Sequence, residues 1–279
     1  TMTAYNQAGA LIHIYKDGSI HLNHGGTEMG QGLFVKVAQV VAEELQLPLD
    51  QIKITATTTA KVPNTSATAA SSGSDLNGMA AQAAARTLKD RLTAFAAEQH
   101  QATTHEVQWQ AGRIAVKGNE IAFAQLVHDA YMARISLSAT GFYKTPEIHW
   151  DRAAGRGKPF YYFAYGAACS EVTIDTLTGE YRVDRVDIVH DVGKSLNPAI
   201  DKGQIEGGFI QGMGWLTTEE LVWDDQGRLR THAPSTYKIP TCADRPEILN
   251  IRLLENSNAK ATIHRSKAVG EPPLMLAIS

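Results

Sequence analysis

The sequence predicts an α+β fold in which mixed β-sheets pack against helices. Short segments of alternating apolar and polar residues, which are typical of strands, occur near the start of the chain. Segments with apolar residues at spacings of three and four, which are typical of amphipathic helices, lie between the predicted strands. A strand–turn–strand pattern then opens the second half of the chain.

The first half begins with a predicted hairpin. Residues 10–15 alternate in polarity, and Asp17 and Gly18 turn the chain into a second strand at 20–22. A helix follows, and it must end before Pro48 because proline is not tolerated inside a helix. The predicted elements of this half after the hairpin are a helix over 31–44, a strand over 51–55, an alanine-rich helix over 75–99 and a helix over 121–132.

The second half is predicted to combine a hairpin with a glycine-rich helix. Its elements are strands over 167–174 and 181–189, a helix over 199–221 and a strand over 248–254. Five glycines lie within this helix, namely Gly203, Gly207, Gly208, Gly212 and Gly214. Each glycine costs about 1 kcal/mol relative to alanine inside a helix. Close packing against another backbone, or against a ligand, must offset this cost.

The division of the chain is predicted from a polar stretch near residues 135–160. We expect one α+β half over 1–134 and a second over 135–279, the latter truncated at its C-terminus. Pro272 and Pro273 begin a helix of about six residues, which is too short to be stable alone. We therefore expect a piece of a longer protein, the alternative being a natural C-terminus that frays.

Composition excludes several classes of protein. Hydrophobic residues make up 43% and charged residues 20%, a balance that excludes a disordered chain. A net charge of −3 argues against a nucleic-acid-binding protein, and no apolar run reaches the ~18 residues of a membrane helix. The two cysteines, Cys169 and Cys242, form no CxxC pattern, which excludes disulfide scaffolds, zinc ribbons and cysteine-ligated clusters. We expect a cytoplasmic protein without nucleic-acid or membrane partners.

The first unusual segment is a glycine-rich turn over residues 24–32, between a predicted strand and a predicted helix. Backbone N–H groups at a helix N-terminus can donate to an anion or to a polar ring. The glycine spacing matches neither of the two common nucleotide-binding motifs. The alternative is a tight turn that needs glycine for positive φ.

The second unusual segment, residues 63–75, consists almost entirely of small residues, many of them bearing hydroxyl groups. Such a segment can surround a flat polar ligand with backbone groups and hydroxyls before the next helix begins. The alternative is a flexible linker.

The third unusual segment runs from Lys267 to Pro273 and places Glu271 between a glycine and two prolines. If this stiff loop closes over a pocket, desolvation makes the carboxylate a better general base. The alternative is a solvated surface glutamate. Other chemistry is not indicated, because the sequence contains neither a GxSxG nucleophile motif nor an HExxH metal motif.

Together the three segments resemble the molybdenum hydroxylases and, within them, the molybdenum-binding large subunits of xanthine dehydrogenases. The resemblance runs along nearly the whole chain. Its other parts are the residues 6–10, 138–142, 168–172, 191–193, 196–201, 203–207 and 234–240. The sequence at 268–273 resembles xanthine dehydrogenases more than aldehyde oxidases.

The resemblance implies a molybdopterin-binding domain of the xanthine dehydrogenase/aldehyde oxidase type. The molybdenum of the molybdopterin cofactor would be held by the two sulfurs of the pterin dithiolene, not by protein side chains. Glu271 would be the general base, and Thr1 and Ala70 would face the substrate. The residues implied to contact the cofactor are Met29, Gly30, Gln31, Thr68, Ala70, Ser71, Ser72, Gly73 and Gln204.

The resemblance also implies an activity and partners. The full enzyme would hydroxylate hypoxanthine or xanthine with oxygen derived from water, and it would pass electrons to 2Fe–2S and FAD centres on other domains or subunits. It would be oligomeric. Because further active-site residues would lie in the rest of the large subunit, the chain alone is expected to be inactive. The alternatives are an aldehyde oxidase or another N-heterocycle hydroxylase, or a cofactor-free scaffold domain.

Overall fold

The computed structural model describes residues 3–61 and 65–278. The chain forms two compact units, Thr1–Tyr161 and Tyr162–Ser279. The halves proposed from the sequence divide after residue 134 instead. Residues 138–144 belong to the first unit because they form a strand that pairs with the first strand of the chain.

The first unit contains three helices and nine strands among its described residues. In chain order they are β1 (Gln7–Ile14), β2 (Ile20–His24), α1 (Leu33–Leu45), β3 (Ile52–Ile54), α2 (Gly73–Gln99), β4 (Val107–Gln110), β5 (Arg113–Val116), β6 (Asn119–Ala122), α3 (Phe123–Met132), β7 (Ser138–Lys144), β8 (His149–Asp151) and β9 (Arg156–Lys158). The predicted strands of the first hairpin, the strand at 51–55 and the three predicted helices are confirmed, with ends that differ by a few residues.

A four-stranded sheet in the order β3-β2-β1-β7 forms the centre of the first unit. β1 pairs antiparallel with both β2 and β7, and β3 runs parallel to β2 at the edge. Buried residues alternate along the second half of β1, where Ala10, Ile12 and Ile14 belong to the core that α1 and α2 complete. The small side chains of α2 allow close approach: a Cβ on Gly141 of β7 would overlap the carbonyl oxygen of Ala80.

The smaller sheets of this unit were not predicted from the sequence. β4, β5 and β6 form an antiparallel sheet, and β8 pairs with β9. Each of these strands has only three or four residues. Such strands are too short for an alternating pattern to be distinguished from a loop.

The second unit is built on a three-stranded sheet in the order β10-β11-β12. Its elements are β10 (Gly166–Ile174), β11 (Tyr181–His190), α4 (Pro198–Thr217), β12 (Ile248–Leu253) and a 3₁₀ helix (Pro272–Ile278). β10 and β11 form the predicted antiparallel hairpin, and β12 runs parallel to β11. Val186 and Ile188 of β11 share a core with Ile205 and Phe209 of α4.

Helix α4 begins as predicted but ends earlier than the predicted residue 221. Its N-terminus is capped by Asn197, whose side chain accepts the N–H of Ile200 at 3.2 Å. At the other end, the N–H groups of Thr218 and Glu219 both donate to the carbonyl oxygen of Gly214, which closes the helix. A Cβ on Gly214 would overlap the ring of Pro240, so this turn packs directly on a neighbouring segment.

Candidate functional site

The glycine-rich turn between β2 and α1 is organised by the carboxylate of Glu28. Its two oxygens accept the N–H groups of Gly30 at 2.8 Å, Gly32 at 3.1 Å and Phe34 at 2.9 Å. Burial by itself would raise the pKa of Glu28, but these backbone donors outweigh it and lower the pKa below its ordinary value. Glu28 therefore remains ionised and neutralises the N-terminal N–H groups of α1.

Several backbone N–H groups of this turn are occupied by side chains of the turn itself. The N–H groups of Gly30, Gly32 and Phe34 are occupied by Glu28, and that of Met29 donates to Gln31 Oε1 at 2.6 Å. The tight-turn interpretation is correct in its geometry, since φ is 103° at Gly30 and 75° at Gly32. A ligand at this turn can be reached instead through exposed surface: Met29 is 69% exposed, and the space beside Gly30 is open.

His24 lies buried beneath the same turn. Its Nδ1 accepts the N–H of Gly26 at 3.1 Å, and its ring packs edge-on against Phe34. Burial lowers the pKa of His24 from 6.5 to about 4, although Asn77 and Glu28 oppose this shift. The imidazole is therefore neutral at pH 7. Because Nδ1 is the acceptor, the proton of the neutral ring is on Nε2.

Lowering the pH from 7 to 4 is expected to destabilise this turn. Between the ordinary histidine pKa of 6.5 and the folded-state pKa of about 4, the unfolded chain binds more protons than the folded chain. The free energy of unfolding therefore decreases with decreasing pH in this range, by up to about 3 kcal/mol when integrated. Urea unfolding of the chain at several pH values measures this slope.

The matched control for His24 is His128, an exposed histidine on α3 of the same unit. His24→Gln is expected to flatten the pH dependence between 6.5 and 4, whereas His128→Gln is expected to leave it as it is. An equal slope in wild type and His24→Gln would contradict the assignment.

Described residues of the small-residue segment form hydrogen bonds with other parts of the first unit, which favours the ligand-loop interpretation over a flexible linker. Thr68 Oγ1 accepts the N–H of Thr27 at 2.8 Å, so this loop is joined to the glycine-rich turn. Ser72 Oγ donates to the carbonyl oxygen of Ala69 at 3.1 Å, just before α2 begins at Gly73.

Two neighbouring residues of this loop adopt a backbone conformation that is costly for side-chain-bearing residues. Ala70 has a φ of 59° and Ser71 a φ of 49°. Such strain persists where the surrounding structure enforces it, and it concentrates at ligand-binding sites. The hydrogen bond between Thr27 and Thr68 and the approach of Gly73 to Leu33 join this loop, Thr68 to Gly73, to the loop that carries Met29, Gly30 and Gln31. Thr1 lies outside the described residues.

The glycines of α4 have two different explanations. A Cβ on Gly208 would lie 2.8 Å from the carbonyl oxygen of Gly270, and one on Gly212 would overlap the carbonyl oxygen of Leu274. These two residues are glycine because another backbone packs against the helix, whereas Gly214 is packed by the ring of Pro240 and the side chain of Glu219. Gly203 and Gly207, by contrast, border open space on either side of the half-buried Gln204. This surface has room for a ligand against the helix backbone.

Glu271 follows the backbone that packs on α4. Gly270 contacts Gly208, and the 3₁₀ helix begins at Pro272. Gln204 lies one turn before Gly208, so Gln204 and Glu271 stand on two elements that pack together. Glu271 is exposed in the described chain. The described residues of this unit therefore do not remove the side chain of Glu271 from solvent, as a closed loop would.

Sequence reasoning missed the residues that support these loops. Glu28, His24 and Asp191 are not among the residues predicted to contact the cofactor or the substrate, yet each forms hydrogen bonds within or beside a loop that carries such residues. Asp191 is 3% exposed and accepts the N–H of Gly193 at 2.8 Å. An acidic residue a few positions before a helix is the one sequence signal by which Glu28 could have been found.

The chemistry of the donor groups fits a cofactor that brings its own metal ligands. The described residues contain no group of three His, Cys, Asp or Glu side chains able to hold a metal ion. The two loops of the first unit offer hydroxyls and exposed backbone, which suit a flat polar ligand. In the second unit, α4 by itself offers the amide of Gln204 and exposed backbone. Cys169 and Cys242 are both free and exposed. None of the helices in the described part of the chain is long and apolar enough to span a membrane.

The fold and the composition of these loops are typical of a domain that binds a large polar cofactor. The family model described as "Molybdopterin cofactor-binding domain" matches residues 1–246. The chain therefore belongs to the molybdopterin cofactor-binding domain family.

Individual relatives agree with this family. The chain is 49% identical over 279 residues to the xanthine dehydrogenase/oxidase of Mus musculus. This match covers all of the chain and 20% of the relative. Thus the chain spans about a fifth of the length of the curated relatives that it matches.

Solved structures show the same fold. A Cu,Mo-CO dehydrogenase matches with a TM-score of 0.85 and 25% identity, over 97% of this chain and 33% of that one. The quinoline 2-oxidoreductase from Pseudomonas putida 86 matches with a TM-score of 0.84 and 28% identity, over 98% of this chain and 34% of that one. The predicted α+β fold with mixed sheets is confirmed.

Proposed function

We propose that this chain is the cofactor-binding part of a xanthine dehydrogenase-type molybdenum hydroxylase. The observation that carries the proposal is 49% identity to a xanthine dehydrogenase/oxidase along the entire chain, loops included. The full-length enzyme would convert hypoxanthine or xanthine to a hydroxylated product, with the new oxygen taken from water. The reaction consumes one water and releases two electrons and two protons.

In this proposal the residues of the first unit hold the cofactor. Met29, Gly30 and Gln31 present the exposed surface of the glycine-rich turn, and Thr68, Ala70, Ser71, Ser72 and Gly73 form the adjoining loop. Ala70 and Thr1 face the substrate. In the second unit, Gln204 binds the cofactor on the open surface of α4. When bound, the molybdenum cofactor would supply the oxygen nucleophile and accept the two electrons.

Glu271 acts as the general base in the proposed reaction. A carboxylate oxygen of Glu271 accepts the proton that must leave the nucleophile before the carbon–oxygen bond forms. The short backbone between Gly270 and Pro272 limits the positions available to this side chain. The remaining parts of the full-length protein would cover the exposed glutamate and exclude water.

The partners of the proposed enzyme follow from the electron balance. The two electrons of each turnover leave through 2Fe–2S and FAD centres on other domains or subunits. As a separate part of the proposal, the full enzyme is oligomeric. We place it in the cytoplasm, since the two exposed free cysteines are typical of a reducing compartment.

The test is an assay of the purified full-length protein. It is expected to contain molybdenum and to transfer oxygen from H₂¹⁸O to xanthine, with a higher kcat/KM for purines than for aldehydes or quinoline. The 279-residue chain alone is the control, and it is expected to hold no stoichiometric cofactor because part of the binding site is missing. Molybdenum near one equivalent in the chain alone would contradict this expectation.

A second candidate function is hydroxylation of another N-heterocycle. The structural match to quinoline 2-oxidoreductase at 28% identity favours it over a cofactor-free scaffold. A full-length protein that oxidises quinoline and leaves purines unchanged would support this candidate.

Gln204→Ala in the full-length enzyme is expected to lower cofactor occupancy more than turnover per bound molybdenum. Losing one hydrogen bond to a buried polar partner costs on the order of 1–3 kcal/mol, or about 5- to 150-fold in affinity. Gln211→Ala, an exposed glutamine on the same helix, is the control. Metal analysis and steady-state kinetics separate the two effects. Full occupancy with slow turnover would place Gln204 among the catalytic residues instead.

A further inference from the structure

The ammonium group of Lys267 is held by several partners within the second unit. It forms an ion pair with Asp191 Oδ2, and it donates to the carbonyl oxygen of Phe163 at 2.9 Å. The same group lies over the ring of Tyr165, 5.6 Å from the centroid. The side chain of Lys267 is only 10% exposed and that of Asp191 only 4%.

An ion pair this deeply buried is costly to desolvate, so it is weak evidence of a stabilising role. Burial alone would raise the pKa of Asp191, but hydrogen bonds from Lys267 and from the N–H of Gly193 outweigh it and lower the pKa. Asp191 therefore stays ionised at neutral pH beside the ammonium group of Lys267. The contact fixes Lys267 at a defined place next to the end of β11.

The backbone around Lys267 is joined to the same place. Its N–H donates to the carbonyl oxygen of Val192 at 2.7 Å. The N–H of Lys194 donates to the carbonyl oxygen of Arg265 at 3.0 Å. Gly193 has a φ of 58°, and a Cβ there would lie 2.5 Å from the carbonyl oxygen of Arg265. The segment that leads into the Glu271 loop is thus held in place by backbone contacts with residues 192–194.

The far side of that loop is fixed by α4. The carbonyl oxygen of Gly270 lies 2.8 Å from the position that a Cβ of Gly208 would take, and the carbonyl oxygen of Leu274 packs still closer to Gly212. The N–H of Leu274 donates to the carbonyl oxygen of Glu271 at 3.0 Å. Glu271 therefore lies between two anchored segments although its own side chain is exposed.

We propose that Lys267 is a positioning residue for Glu271, which it serves by locking the start of the Glu271 loop to Asp191. The proposal rests on the function proposed above, because it takes Glu271 as the general base. A base on an otherwise exposed loop needs such a lock, since a misplacement of about 1 Å can cost about 10²-fold in rate.

The test compares Lys267→Met with Lys194→Met in the full-length enzyme. Lys194 is an exposed lysine in the same segment, and its substitution is the matched control. In Lys267→Met, hydrogen exchange of the amides over residues 266–274 is expected to rise about tenfold or more. The value of kcat is expected to fall about 10²-fold with KM and molybdenum content unchanged.

Rescue and coupling distinguish positioning from a general structural role. Lys267→Arg retains the charge and is expected to keep more activity than Lys267→Met. Adding Lys267→Met to Glu271→Gln is expected to cause no further loss, because both changes act through the same group. Equal losses from Lys267→Met in both backgrounds would overturn the proposal.

Asp191→Asn removes the same ion pair by changing its other partner. It shows whether a loss of activity in Lys267→Met results from a folding defect. Loss of folded, molybdenum-containing protein in both variants would assign the pair to the fold and overturn the positioning role. Unchanged hydrogen exchange in Lys267→Met would overturn it as well. A wild-type enzyme that leaves purines unoxidised would instead overturn the proposed function, so the two failures are distinguishable.

Discussion

Glu271→Gln in the full-length enzyme is expected to lower the rate of hydroxylation by about 10²–10⁴-fold. Glutamine has the same shape as glutamate and can form hydrogen bonds, but it cannot accept the proton of the nucleophile. The loss can exceed this range, because the nucleophile is not generated without deprotonation. Steady-state kinetics normalised to molybdenum content measure the effect.

A structural explanation of the lost activity would be weak for this substitution. The backbone on both sides of Glu271 is fixed by contacts of Gly270 and Leu274 with α4, which do not involve the carboxylate. Glu255→Gln, at an exposed glutamate of the same unit, is the matched control and is expected to be fully active. Activity of Glu271→Gln within about tenfold of wild type would remove the base role.

Gly141→Ala is expected to destabilise the first unit by about 3 kcal/mol or more, at the upper end of the overpacking costs known for protein cores. A Cβ on Gly141 would overlap the carbonyl oxygen of Ala80 and lie 2.6 Å from the amide nitrogen of Ala84. Both neighbours are backbone atoms of α2, so no side-chain rotation can relieve the contact. Either β7 or α2 must move, and both belong to the central core.

Native-state hydrogen exchange at the amides of β1 and α2 measures this change locally. Thr140→Ala, at the exposed neighbouring position of β7, is the control and is expected to change stability by less than about 1 kcal/mol. Unaltered protection in Gly141→Ala would mean that β7 does not lie on α2 as the structure has it.

Much of the fold could be predicted because long periodic segments carry their own signal. α1 and α2, the β1–β2 hairpin and the β10–β11 hairpin follow from apolar spacing and from turn residues. The three loops proposed as the site could also be located, since glycine, small hydroxyl residues and a Gly-Glu-Pro-Pro run are unusual in composition. Their resemblance to one family determined the assignment of residues such as Gln204 and Glu271.

Other features depended on contacts between residues distant in the sequence. The sequence could not distinguish Gly208 and Gly212, which admit another backbone, from Gly203 and Gly207, which border open space. It also could not show that the carboxylate of Glu28 accepts three of the N–H groups at the glycine-rich turn.

The amino-acid sequence by itself determined the class of fold and the position of the three loops, because these reside in local periodicity and composition, and the resemblance of the loops to a known family indicated the family. Only the tertiary structure decided what holds the loops in place. The pairing of Lys267 with Asp191 joins positions 76 residues apart in the chain. The close packing of β7 on α2 likewise depends on which backbones meet. Burial and charge pairing arise only when distant segments come together, so no local pattern encodes them.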